Sequence, residues 1–159
     1  MHMRKRIMTA AHPDRPLPDD GWLDLEQLAE VEITSEDAAH PVEFALLPER
    51  GPGWQAADTG EQTIRLVFDH PQRLKRVRLV FVEAGATRTQ EFVLRWSADG
   101  GQSFRDIVRQ QWNFSPDGAT EEVEDLRVDL VDVVVLELTI SPDIGGGAAR
   151  ASLAQLRLA

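Results

Sequence analysis

Phe92-Val-Leu-Arg-Trp-Ser-Ala-Asp-Gly-Gly-Gln-Ser-Phe104 is the stretch whose reading decides the fold. Phe92, Leu94 and Trp96 fall on one face of an extended chain, and Val93, Arg95 and Ser97 fall on the other. Asp99-Gly100 follows, and the chain then turns back toward Phe104 as a second strand. Asp-Gly between two alternating runs predicts a β-hairpin, because glycine accepts the positive φ that a tight reversal needs.

The same period recurs on both sides of this hairpin. Ile64, Leu66 and Phe68 alternate with Arg65 and Asp69, and His70-Pro71 is read as the end of that run. Val77, Leu79 and Phe81 alternate with Arg76 and Arg78; Leu126, Val128 and Leu130 alternate with Arg127 and Asp129. Val133 to Ile140 is nearly continuous in apolar residues and predicts a central strand covered on both faces. Leu153, Leu156 and Leu158 close the chain, and Val31 with Ile33 suggests a first short strand. A short helix is predicted over Trp22 to Ala29, behind Asp19-Asp20 as capping acids. Residues 35–62 are punctuated by Pro41, Pro48, Gly51-Pro52-Gly53 and Gly60 and are read as irregular. About eight strands with short turns mean an all-β chain folded as an antiparallel β-sandwich. Residues 1–20, with Pro13, Pro16 and Pro18, are read as a flexible leader, and residues 21–159 as one domain.

Composition narrows the functional classes. At 159 residues the chain can build a core without staples, and it contains no cysteine, which removes disulfides, thiolate metal sites and a cysteine nucleophile. A net charge of −10 argues against a nucleic acid or an anionic membrane as partner. No apolar run approaches the roughly 20 residues of a membrane span. The basic start Arg4-Lys5-Arg6 is not followed by a signal-peptide hydrophobic region, so a cytoplasmic location is the expectation.

Ser35-Glu-x-x-x-His-Pro-Val-Glu-Phe-Ala-Leu46, Gly53-Trp54, Gly60-x-Gln-Thr-Ile-Arg-Leu-x-Phe68-Asp-x-Pro71, the Ser97-x-Asp-Gly-Gly-x-Ser-Phe104 turn and the closing Ala151-Ser-Leu-Ala-Gln-Leu-Arg-Leu158 together resemble a discoidin, or coagulation-factor type C, domain. Such domains are galactose-binding-like jelly rolls, a group that includes many carbohydrate-binding modules. The resemblance covers roughly residues 30–158 and implies core positions for Trp54 and Trp96. Many relatives hold a structural calcium with an Asp shortly after the Ala-Leu pair and a Glu in the last strand. The corresponding positions here are Leu47 and Gln155, so the calcium site is expected to be lost and no cofactor is expected.

Counting strand directions alternately from Asp99-Gly100 places residues 55–61, 84–89, 113–118 and 142–149 at the pole opposite the hairpin tip, and His70 with Val131-Asp132 at the tip's own pole. The resemblance implies ligand binding by loops at one end of the sandwich, with an Arg or Asn in the loop before the hairpin strand. The candidate ligand-binding residues are therefore Glu83, Arg88, Gln90, Trp112, Asn113 and Asp143. Arg88 and Gln90 offer planar, multi-donor groups for hydroxyls or a carboxylate, and Trp112 is open to two roles, stacking on a sugar face or packing under the loop. Gly145-Gly146-Gly147 reads as a flexible crossover, and the acidic run Glu121, Glu122, Glu124, Asp125, Asp129 as a solvated strand face.

No enzymatic activity is expected. The four histidines are His2 and His12 in the leader and His40 and His70 before prolines, with no metal-ligand spacing among them. Two non-catalytic readings remain: a module for a glycan or other small polar ligand, and an intracellular protein-interaction or assembly domain.

Overall fold

A computed structural model describes residues 21–159; residues 1–20, read from sequence as a flexible leader, lie outside the described residues. In chain order the elements are α1 (Leu25–Leu28), β1 (Ala29–Ile33), α2 (Glu43–Leu46), β2 (Trp54–Gln55), β3 (Gln62–Val82), β4 (Arg88–Ser97), β5 (Arg105–Phe114), β6 (Glu121–Ser141), β7 (Ser152–Leu153) and β8 (Gln155–Leu158). All named pairings are antiparallel, in the order β1-β3-β6-β4-β5, with β8 on β3 and with β2 paired to β7.

Two long strands build both layers of the sandwich. The first part of β3 pairs with β1 and the end of β6, while its second part pairs with β8 and the start of β6. The register slips between Val67 and Arg76, where the strands bend from one layer to the other. This corrects two sequence readings. His70-Pro71 does not end β3: the proline sits at the bend, where its missing N–H costs no regular ladder bond. Likewise the runs 126–130 and 133–140 are one strand, kinked near Asp132 at φ 61°.

Period-two alternation fills the space between the layers. Ile64, Leu66 and Phe68 of β3, Phe92 and Leu94 of β4, and Leu136, Leu138 and Ile140 of β6 are all buried. The layers meet where the Phe81 and Phe92 rings lie 5.2 Å apart. Trp54 is buried and donates Nε1 to the Ser35 carbonyl at 3.0 Å, whereas Trp96 is only half-buried, with the Arg105 guanidinium over its ring. Residues 35–62, read as irregular, contain α2 and β2; Leu46 and Ala45 of α2 enter the core. Gly53 lets the chain entering β2 approach β7, because at φ 137° a Cβ would sit 2.6 Å from the Leu153 carbonyl oxygen. Asp24 caps α1 by accepting from the Glu26 amide at 3.2 Å, in place of the predicted Asp19-Asp20.

The hairpin joins β4 to β5 through a broad tip, residues 98–104. Asp99 organises it: its Oδ1 accepts from the Ser97 hydroxyl at 2.7 Å and from the Ser103 amide at 2.9 Å. Ser97 Oγ in turn accepts from the Gly101 amide at 2.9 Å, and Gly100 and Gly101 take the positive φ angles the reversal demands.

Candidate functional site

The inward row of β4 does not become loop at its start. Read backwards by twos from Leu94 and Phe92 it reaches Gln90 and Arg88, which are 0% and 4% exposed. Arg88 opens β4 rather than lying in a solvent loop. Its Nε donates to Glu83 Oε1 at 2.8 Å, and its Nη1 donates to the Pro142 carbonyl at 2.7 Å and Gln90 Oε1 at 3.2 Å, while its guanidinium lies 4.8 Å from the Phe114 ring centre. Gln90 Nε2 donates to Glu122 Oε1 at 3.1 Å.

The counting of strand directions thus brings the predicted residues together at one pole, in two groups. Glu83, Arg88 and Gln90 form a linked polar cluster, with Arg88 also binding the chain just before Asp143. Trp112 pairs with Gln90 across the β4–β5 ladder and is half-buried, with its indole nitrogen covered. Asn113 is exposed and accepts from the Thr89 hydroxyl at 2.7 Å; Asp143 is part-exposed and caps its own turn by accepting from the Gly145 amide at 3.0 Å. The Ile144 amide donates to the Thr89 carbonyl at 2.8 Å and so fixes the 142–149 crossover against β4.

Glu122 is a correction. It was read with the solvated acidic run, yet it is 0% exposed and faces Gln90. Its position could have been read from parity, since Glu122 is in phase with Leu126, Val128 and Leu130. Burial, reinforced by Glu124 nearby, pushes its carboxyl up to about 8. For Glu83 the balance is reversed: burial would raise the carboxyl, but Arg88 and the Gly85 amide together hold it below the ordinary range. Arg88 Nη2, Trp112 Nε1 and Glu122 Oε2 are buried without a protein hydrogen-bond partner.

A second polar region was not read from the sequence. The outward face of the layer β1-β3-β6-β4-β5 carries a cavity of about 670 Å³. Its lining is ordered by register. Glu32, Arg65, Glu137, Arg95 and Asp106 stand opposite one another across the five strands, alternating in charge from edge to edge. One step along the strands, the row is Thr63, Thr139, Val93 and Arg109. Glu137 is 3% exposed and bonded by both neighbouring arginines, which stay 40% and 39% exposed. Burial would raise its carboxyl, but the bonds and charges of Arg65 and Arg95 hold it below the ordinary range. Glu137 is the one charge within the Val133–Ile140 run, and that interruption was the available signal.

Leu47 and Gln155 line a further cavity of about 900 Å³ beside Arg157. Arg157 Nη1 donates to the Ala45 carbonyl at 2.7 Å, so a guanidinium ties α2 to β8 there. Among the described residues no group of three or more His, Asp or Glu side chains is placed to hold a metal ion. His40 Nδ1 lies 2.7 Å from Asp37 Oδ2 within a turn closed by the same two residues.

No protein-family model matches the sequence. No curated protein matches it either. Solved structures do. A family 32 carbohydrate-binding module from Clostridium perfringens, CpGH89CBM32-5, solved with GalNAc-β-1,3-galactose, superposes with a TM-score of 0.64 at 19% identity, covering 87% of this chain and 99% of that one. The family 32 module of NanJ from the same organism, solved with galactose, gives 0.63 at 13% identity over 86% and 96%. A pectin-binding carbohydrate-binding module gives 0.61 at 16% identity over 83% and 90%. At such identities the likeness is one of fold, and the fold is that of the galactose-binding-like jelly-roll sandwich.

Proposed function

We propose that this chain is a non-catalytic carbohydrate-binding module. The observation that carries the reading is the near full-length match of its fold to modules solved with sugars bound. The pole opposite the hairpin adds support, because its loops are held in place by buried polar groups rather than left to move. In this reading Arg88, Gln90 and Trp112 act from inside, setting the 83–88 and 142–149 loops, with Glu83 as the charge partner of Arg88. Asn113 and Asp143 keep solvent access and would meet hydroxyls of the ligand. The assembly reading has less to rest on. The large apolar side chains that stand exposed among the described residues are Val82, Val123, Val131 and Ile144. Val82 and Val123 are diagonal neighbours in the β3–β6 ladder, but two valines make only a small patch, and Val131 lies at the hairpin pole, away from Ile144.

A glycan microarray probed with the fluorescently labelled full chain tests the reading. Saturable binding to a subset of glycans, weakened in the Asn113→Ala, Asp143→Ala double variant, is the expected result. A blank array, together with a mass in solution that rises with concentration, would instead support assembly.

A further inference from the structure

The outward face of β1-β3-β6-β4-β5 is shaped by side-chain length. Thr63, Thr139 and Val93 are short and stand in one row across three adjacent strands. Two residues along the strands on one side lie Arg65, Glu137 and Arg95. On the other side lie Glu61, Ser141 and Glu91, with Glu91 opposite Ser141. Short residues between two longer rows leave a trough that runs across the strands. Its walls stand about 13 Å apart at the backbone and it extends about 14 Å from β3 to β5, from the ordinary spacings of residues and strands. Arg109 stands at the β5 end, opposite Val93 and paired to Glu91 at 3.1 Å.

One wall is braced by ion pairs and a ring. Arg65 and Arg95 are fixed from both sides of Glu137, and the Phe104 ring lies 5.8 Å from one guanidinium and 4.9 Å from the other. The floor carries hydroxyls, those of Thr63 and Thr139 lying 3.2 Å apart. Donors and acceptors therefore alternate around a slot open to solvent.

Charge decides the ligand class. The lining holds five carboxylates (Glu32, Glu61, Glu91, Asp106, Glu137) against three guanidiniums (Arg65, Arg95, Arg109), in a chain of net charge −10. An anionic chain is repelled by that excess. A cation finds Glu137, Glu91 and Glu32 already taken by arginines. A hydroxyl both donates and accepts, so a neutral polyol chain can satisfy both kinds of wall group without displacing an ion pair.

We infer that this trough, which borders the loop pole at Glu61 and Ser141 but is not lined by Asn113 or Asp143, is a second binding site for an extended neutral oligosaccharide lying across the strands. The inference rests on the carbohydrate reading above and adds the place, shape and charge class of the ligand. It is tested by calorimetric titration of the full chain with neutral hexasaccharides of β-1,4-linked glucose, xylose, mannose and galactose, beside oligogalacturonate of the same length. One neutral hexasaccharide should bind, Val93→Trp should weaken it at least tenfold by filling the slot, and Arg109→Ala should weaken it several-fold. Thermal melting of both outward-facing variants checks that they fold. Neutral binding that ignores both groove variants but is lost in Asn113→Ala, Asp143→Ala overturns the trough and leaves the carbohydrate reading standing. Tighter, salt-sensitive binding of oligogalacturonate overturns the neutral class. Absence of binding to every glycan on both the array and the titration overturns both.

Discussion

Arg65 and Glu137 stand directly opposite in the β3–β6 ladder, and Arg65 Nε donates to Glu137 Oε2 at 3.1 Å. Arg95 closes on the same carboxylate from the β4 side. A buried acid is thereby kept ionised on an otherwise solvent-facing sheet. Its folded carboxyl lies below the ordinary 4.5, so its stabilising contribution is present above that value and is lost as pH falls through the folded value. Glu137→Gln should cost about 1–3 kcal/mol at pH 7, at the low end for a broken pair because both guanidiniums keep water access. Urea denaturation at pH 7 and again at pH 3 checks this: the gap between native and variant should shrink at pH 3, and an equal gap at both would contradict it.

Glu122 predicts the opposite slope. Its folded carboxyl is raised to about 8 from an ordinary 4.5, so ionisation favours the unfolded chain. Stability from this group is complete below pH 4.5 and declines as pH climbs toward 8, by at most about 1.4 kcal/mol per unit. Glu122→Gln keeps an acceptor for Gln90 and removes the titration. The variant should match the native chain near pH 5 and be the more stable one at pH 8, read from melting curves across that range.

Arg157 bears on metal dependence. Its guanidinium already binds the Ala45 carbonyl beside Leu47 and Gln155, the positions at which the resemblance places calcium ligands. We propose that the sandwich is held there without a metal. Neither millimolar calcium nor a chelator should move the melting temperature, whereas Arg157→Ala should lower stability by about 1–2 kcal/mol through the lost bond between α2 and β8. A calcium-dependent rise in melting temperature would refute the claim.

Asp99 should matter to the hairpin alone. Hydrogen bonds from the Ser103 and Ser97 hydroxyls and the Ser103 amide hold its carboxyl well below the usual range. Asp99→Ala should lower the melting temperature modestly and speed amide exchange at Gly101 and Ser103, while leaving amides of β3 and β6 protected. Uniform loss of protection would show that the tip does more than close the turn.

The legibility of this molecule follows its alternation. Where period two ran through apolar residues, as in Ile64–Phe68 or Phe92–Leu94, sequence placed both strand and core face. It failed where the same period ran through polar residues. Arg88, Gln90 and Glu122 keep the inward parity of their strands, but a polar side chain is ordinarily solvated, and only the partners that satisfy one another make burial tolerable. The trough was hidden for another reason. Its rows are set by cross-strand register among Thr63, Thr139 and Val93, residues separated by at least 30 positions in the chain, and strand order had to be known before they could be seen as neighbours. Likewise the bend at Pro71 looked like an end, because a missing donor breaks a ladder unless the ladder is already shifting.

The most direct measurement is chemical-shift mapping of the isotope-labelled full chain against the tightest neutral oligosaccharide. Saturable shifts are expected at the amides of Thr63, Val93 and Thr139, continuing toward Arg109, with the hairpin tip at Asp99 unmoved. Saturable shifts absent from those three amides, or no shifts with any neutral glycan, would contradict the trough site.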